Sequence, residues 1–328
     1  MIPSASHAQS SITLYGLLDM SLDWSHSGNR NTVRMLSGAQ TGSRFGLRGT
    51  EDIGGGVHVN FDIENGFTLN NGAASDSTAI FNRQAWIGMS GAWGELRVGR
   101  QNSPLYVPLE GKFDATGAST IASGLNSFAT LSVRASNAIY YGTPDLNGFS
   151  AQVMFGLRDS TTTPSSGVNN YHLTATYARG PVDLDVGFQS VDNATNSSTL
   201  KDFFGGGSYD FGRVRFYAAY HHAQQSDGSV DKNVFSVSAA YRFVAAGSLA
   251  LTYSHLQDLT SAAMNADHVG LMASYWLSKQ TWVYASGAVL INKGRSDYVL
   301  AASTTAGVAV AYPGADAQGI ELGIQHRF

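Results

Sequence analysis

Charged residues in the first part of the chain are spaced so that they share faces of extended segments. Arg44 and Arg48 are four residues apart, and Asp62 and Glu64 are two apart with Ile63 between them. Residues at even separations in a strand point to the same face. Opposed fixed charges would create an electric field across a confined space, and arginine suits this role because it stays charged and is weakly hydrated. Such an array would act on passing ions, not on covalent bonds.

Motifs for covalent chemistry are missing from the sequence. There is no Gly-x-Ser-x-Gly elbow and no glycine-rich phosphate loop. His221 and His222 are adjacent, so in a strand they would point to opposite faces, and the absence of cysteine removes thiolate ligands. We therefore expect no cofactor, no metal and no enzymatic activity. An outer-membrane lipase or protease remains an alternative, since a serine, one of nine histidines and an acid could still meet in the fold.

The composition favours a wall with one apolar side. Of the 328 residues, 43% are hydrophobic and 13% are charged, about half the usual ~25% for charged residues. No apolar run reaches the ~18 residues of a helical span. The net charge of −4 gives no basic surface for nucleic acid, so no nucleic-acid partner is expected.

Alternating polarity recurs from one end of the chain to the other. Near the C-terminus, Ile320, Leu322 and Ile324 share one parity, while Glu321 and Gln325 share the other. Runs of about ten residues with this period are typical of β-barrels in membranes. Counting the runs predicts an all-β, transmembrane antiparallel β-barrel of about sixteen strands, with aromatic residues near strand ends as interfacial girdles.

The strand-like runs are separated alternately by short and long breaks. Pro144–Gly148 is a short, turn-like break, whereas Ser25–Thr32 and Asn292–Gly314 are long and polar. This is the expected order of tight periplasmic turns and longer outer loops. The run Trp282–Ile291 is apolar on both parities, so alternation does not fix its inner face. A soluble β-sandwich or an adhesin with half-buried strands would show some of the same features.

One interval, 101–134, interrupts the alternation for about thirty residues. A structureless segment of this length is usually functional or disordered. We predict that it folds into the lumen and narrows the pore; the alternative is a large outer loop. The rest of 9–328 is predicted to form one barrel domain. Residues 1–8 resemble the end of a signal peptide cleaved after Ala8, or are an arbitrary start.

Several sequence blocks resemble a known family. The blocks are Ser11–Gly16, Ser43–Gly56 and Gly94–Arg100, together with the terminal Phe328. They are similar to the general porins of Gram-negative bacteria, especially the β-proteobacterial type, and the resemblance extends from Gln9 to Phe328. It implies a sixteen-stranded homotrimer in the outer membrane, with three separate water-filled pores each narrowed by the third loop. Phe328 would then be the signal read by the outer-membrane assembly machinery.

The resemblance also implies a set of residues at the constriction. In the family, an arginine cluster on the wall faces acids near the inserted loop. Carried over by position, the basic residues are Arg44, Arg83 and Arg134, and the acids are Glu64 on the wall and Asp114 in the loop. The further pore-lining candidates are Arg48, Asp62, Glu110 and Lys112. Each arginine could instead be a lumen residue that is paired with a nearby acid, away from the constriction.

The expected function is passive diffusion of small hydrophilic solutes and ions, with a weak preference for anions. The expected partners are these solutes, two further copies of the chain, and the lipids and lipopolysaccharide of the outer membrane. A substrate-specific outer-membrane channel is the nearest alternative, because the sequence does not identify a preferred solute.

Overall fold

The computed structural model describes residues 11–106, 112–159 and 166–328. The predicted signal-peptide remnant at 1–8 and the candidate Glu110 lie outside the described residues. Among the described residues, no helix has the length and apolar character needed to span a membrane.

Strands dominate the described part of the chain, which contains one short helix, α1 (Gly124–Phe128). The strands are β1 (Ser11–Ser27), β2 (Arg30–Ser37), β3 (Arg44–Gly54), β4 (Val57–Gly66), β5 (Gln84–Gly91), β6 (Gly94–Asn102), β7 (Arg134–Gly142), β8 (Phe149–Leu157), β9 (Val168–Arg179), β10 (Val182–Asp192), β11 (Thr199–Asp210), β12 (Val214–Gln225), β13 (Asp231–Val244), β14 (Gly247–Asp258), β15 (Ala266–Trp276), β16 (Thr281–Asn292) and β17 (Ala317–Arg327).

The seventeen strands form one closed antiparallel sheet with sixteen positions in its wall. The first half of β1 pairs with β3 and its second half pairs with β2, so β2 and β3 together occupy one position. β17 pairs with β1 and closes the barrel. Gly16 and Phe328 complete the seam, each donating a backbone hydrogen bond of 3.0 Å to the carbonyl of the other. The predicted sixteen-stranded barrel is confirmed, and a two-sheet sandwich is excluded.

The two faces of the wall differ in polarity as the alternation predicts. Leu251 and Leu322 point outward, with 56% and 57% of their surface exposed, whereas Ser254 and Gln325 point inward and are fully buried. Aromatic rings meet near the strand ends, for example Phe149 and Tyr177, whose centroids are 4.5 Å apart. An apolar outer face with aromatic girdles matches a wall that contacts lipid.

The predicted long break at Ser25–Thr32 is wrong. β1 continues to Ser27 and β2 begins at Arg30, so only two residues connect them. Gly28 adopts a φ of 58°, a left-handed conformation that glycine accepts without a steric penalty. The polar composition of this segment therefore belongs to the tip of the β1–β2 hairpin, where β17 pairs with β1 as far as His26.

The constriction loop, defined here as 103–133 between β6 and β7, folds into the lumen, as predicted. The N–H of Ala115 donates to Ser238 Oγ on β13 at 3.0 Å. The N–H of Ile121 donates to Glu321 Oε2 on β17 at 3.2 Å, and His268 Nε2 on β15 lies 2.9 Å from the Ile121 carbonyl oxygen. The loop therefore crosses the barrel and is attached to the wall opposite its origin, so the outer-loop alternative is wrong.

The inward position of this loop explains why β16 carries apolar side chains on both of its faces. Leu290 and Ala288 on its inner face pack in one buried cluster with Ile121 of the constriction loop and Leu300 of the loop that follows β16. Most inner-wall residues face polar surroundings, but these face folded-in chain. The apolar inner side of β16 is therefore the surface on which the two loops pack. Its side chains alternate inward and outward in the same way as those of the other strands.

Candidate functional site: the charged lining of the pore

Two of the predicted arginines share one predicted acid on the inner wall. Arg44 Nε lies 3.0 Å from Glu64 Oε2, and Arg83 Nε lies 2.6 Å from Glu64 Oε1. Arg44 begins β3, Glu64 lies on the inward parity of β4, and Arg83 directly precedes β5. Three neighbouring wall positions thus place two cations around one carboxylate, which leaves a net charge of +1 on the cluster.

A cavity of about 450 Å³ separates this wall from the constriction loop. It contains Arg83 and Arg134 together with Arg100, and we call it the arginine pocket. Asn126 of the loop lines its other side, and Thr304 of the last loop closes one edge. The structure therefore brings together two of the three predicted arginines at the space left between loop and wall.

Arg100 is a lining residue that the sequence interpretation missed. It lies in the quoted Gly94–Arg100 block, but simple alternation places it opposite Arg97, which faces inward. The pairing of β6 with β5 runs in regular register through Arg100 and Ala85, and the irregularity between β6 and β7 places its extra residue on β7. Arg100 reaches the pocket with its long side chain at the end of β6: it donates through Nε to the Asn82 carbonyl at 2.8 Å and through Nη1 to Ser136 Oγ at 2.7 Å. Alternation along β6 gives no signal of this position.

Asp114 is buried within the constriction loop, away from the arginine pocket. It accepts hydrogen bonds from the Thr116 N–H at 2.7 Å and from Ser123 Oγ at 3.1 Å, and only 2% of its surface is exposed. Burial raises the pKa of the Asp114 carboxyl, and these hydrogen bonds oppose the increase. The structure thus gives Asp114 a role in shaping the loop.

The remaining described candidates are Arg48 and Asp62 on the wall and Lys112 in the constriction loop. Tyr15 donates to Asp62 Oδ1 at 2.7 Å and to Glu64 Oε2 at 3.1 Å, and the guanidinium carbon of Arg48 lies 5.1 Å from the Tyr15 ring centroid. Lys112 lies 3.7 Å from Asp185 on β10. None of these three candidates borders the arginine pocket, and their contribution to the pore stays a prediction.

The comparisons with known proteins agree on one family. A model of the Gram-negative porin family matches residues 1–295. An outer membrane porin protein of Bordetella pertussis is 31% identical over 260 residues, which is 68% of this chain and 66% of that protein. Outer membrane porin protein 32 of Delftia acidovorans is 29% identical over 99% of this chain and 96% of its own.

A solved structure is similar over the whole barrel. The anion-selective porin from Comamonas acidovorans superposes with a TM-score of 0.85 at 25% identity, covering 98% of this chain and all of the other. OmpT of Vibrio cholerae in its trimer form has a TM-score of 0.72 at 15% identity over 97% of this chain and 99% of its own, a likeness of fold. With a closed sixteen-position barrel, a loop folded into its lumen and this family match, the chain belongs to the Gram-negative porin family and is an outer-membrane porin.

Proposed function

We propose that the pore passes small hydrophilic solutes and ions by passive diffusion with a weak preference for anions. The arginine pocket carries this proposal, since Arg83, Arg100 and Arg134 border the space between the wall and the constriction loop. The similar Comamonas protein is described as anion-selective, which supports the same sign. The proposal includes no chemical step and no cofactor.

The size of the preference follows from the balance of charges. Glu64 offsets one of the two arginines that it contacts. Asp76, which lines the pocket with the three arginines, offsets a second positive charge, while Asp114 is enclosed in the loop. One unit charge ~10 Å from an ion contributes ~1–2 kcal/mol at an effective dielectric of ~20, and salt at ~0.1 M reduces this by more than half. Removing one positive charge from the arginine pocket should therefore change the anion-to-cation permeability ratio about threefold.

Reversal potentials under a chloride-salt gradient test this assignment. We expect Arg83→Gln and Arg134→Gln each to lower the ratio of chloride to potassium permeability about threefold, with a smaller difference at high salt because screening increases. Arg179→Gln is the matched control, since it removes one positive charge from the exposed end of β9. A cation-selective native pore, or equal effects of all three variants, would contradict the proposal.

We also propose that the working form is a homotrimer with three pores, embedded in outer-membrane lipid and lipopolysaccharide. The support is the family match and the trimer form of the structurally similar Vibrio cholerae OmpT.

A further inference from the structure

A second charged cavity lies at the end of the barrel that carries the short turns. It measures about 290 Å³ and is lined by residues of the five strands β11 to β15, among them Asp210 of β11, with Ala115 of the constriction loop beside it. Two arginines, Arg215 and Arg242, and two aromatic residues, Tyr217 and Trp276, share its surface. We call it the turn-side cavity; the arginine pocket and the turn-side cavity have no lining residue in common.

Neighbouring side chains hold both arginines of the turn-side cavity in place. Arg215 forms an ion pair with Asp183 and donates to Ser208 Oγ through Nε at 3.2 Å and through Nη2 at 2.8 Å. Arg242 donates through Nη2 to Asp210 at 3.0 Å. A guanidinium has five N–H groups. Among the described residues, no hydrogen-bond acceptor is used by Nη1 of Arg215 or by Nη1 of Arg242. Each of these groups can therefore donate to another acceptor.

The aromatic side of the turn-side cavity is also fixed. Trp276 stacks on Trp282 with centroids 5.3 Å apart and planes inclined by 13°. The guanidinium carbon of Arg327 lies 5.6 Å from the Trp276 ring centroid, and that of Arg215 lies 5.3 Å from the Tyr217 ring. Trp282 covers one face of Trp276 and the Arg327 guanidinium lies over the same ring, so a flat ligand would contact the edge of Trp276 or the ring of Tyr217. Aromatic rings favour edge and offset-stacked contacts.

The charge and size of the turn-side cavity narrow the ligand class. Arg215, Arg242 and Arg327 carry three positive charges against two from Asp183 and Asp210, so the region has a net charge of +1. Its volume is at the lower limit of ligand pockets, which begin at ~300 Å³. A ligand with one ring and a single negative charge satisfies both conditions.

We propose that the turn-side cavity is a binding site for small aromatic monocarboxylates, with the carboxylate on the arginines and the ring on Trp276 and Tyr217. This deepens the proposed function, on which it rests, because it adds a solute class that the pore retains on its way through. Aliphatic carboxylates of the same charge would pass with less retention.

Benzoate and cyclohexanecarboxylate form a matched pair for the test, since both are six-membered rings with one carboxylate and only benzoate is aromatic. Binding is measured by the concentration dependence of tryptophan fluorescence and of the block of single-channel current in bilayers. We expect saturable effects of benzoate, with an affinity about fivefold higher than that of cyclohexanecarboxylate, as one aromatic stacking contact supplies. Equal affinities for the two acids would overturn the proposal.

Variants locate the site. Arg215→Gln and Arg242→Gln keep every tryptophan and should each weaken benzoate binding at least about threefold; the second serves if the first fails to fold, because Arg242 is 54% exposed. Trp93→Leu, in the exposed turn between β5 and β6, is the control variant and should leave the block of single-channel current by benzoate unchanged. Benzoate binding that is insensitive to both arginine variants would place the site elsewhere and overturn the inference. If the native pore bound benzoate but showed no preference for chloride, only the proposed function would be contradicted. If it preferred chloride but did not bind benzoate, only this inference would be contradicted.

Discussion

At the scale of single residues, Glu64 determines how much positive charge the pore presents. Its carboxylate contacts Arg44 and Arg83 and is only 5% exposed. The two arginines keep 22% and 10% of their side-chain surface exposed. Glu64 thus orients both cations and cancels the charge of one, so the preference for anions is expected to be modest.

Glu64→Gln should strengthen the anion preference. The substitution keeps the shape but removes the negative charge, so the chloride-to-potassium permeability ratio should rise about threefold in reversal-potential measurements. The barrel should lose less than the ~3–5 kcal/mol typical of a broken buried pair, because the side chain of Arg44 is 22% exposed and the glutamine amide can still accept a hydrogen bond from Arg83.

The matched control for Glu64→Gln is Glu95→Gln. Glu95 is also an acid on the inner wall, but it pairs at 2.5 Å with Arg97, which does not line the arginine pocket, whereas Glu64 pairs with the lining residue Arg83. The two variants carry the same change in net charge. An equal rise in both would mean that the total charge of the lumen, and not the position of Glu64, sets the selectivity.

At the scale of elements, the constriction loop depends on close contact with the far wall. Gly270 on β15 faces the loop, and a Cβ added there would lie 2.1 Å from the Ala122 carbonyl oxygen. This contact holds the loop against β15 and β17, together with the hydrogen bond between His268 and the Ile121 carbonyl and the one that the Ile121 N–H donates to Glu321. The free passage then lies on the arginine side.

Gly270→Ala should push the loop away from β15 and toward the arginine pocket. We expect a lower single-channel conductance, and a stability loss of ~1–3 kcal/mol as for other overpacked sites. Gly287→Ala on the neighbouring β16 is the control, because its added Cβ would meet only the Gly319 carbonyl oxygen at 3.8 Å. An unchanged or larger conductance for Gly270→Ala would contradict the conclusion that the constriction loop packs closely against β15.

At the scale of the whole molecule, the barrel presents an apolar outer wall and a closed hydrogen-bonded seam. The pairing of β1 with β17 leaves no free edge among the wall strands, as a spanning sheet in lipid requires. Phe328 lies in this seam, and its role as an assembly signal stays a prediction. The same outer wall must supply any surface for contact between copies.

The homotrimer is testable on the purified protein in detergent. We expect sedimentation equilibrium, corrected for bound detergent, to give three times the chain mass of 34.8 kDa. Conductance in bilayers should appear and close in groups of three equal steps. A particle mass equal to that of one chain, together with single independent conductance steps, would rule out the trimer. The proposed pore would not be affected by that result.

The sequence by itself determined the barrel, its approximate strand number and the inward parity of Arg44, Arg48, Asp62 and Glu64. Period-two polarity is a local property, and each strand carries it independently of its neighbours. The position of the constriction loop was also visible, because alternation stops there.

Only the tertiary structure decided which charges meet. Arg100 borders the arginine pocket because its guanidinium reaches the Asn82 carbonyl at the end of β6, and Asp114 is enclosed because the loop folds over it. The turn-side cavity joins residues from five strands and the constriction loop. Contacts between segments far apart in sequence depend on how the sheet closes and where the loop is seated, and local polarity does not encode either of these.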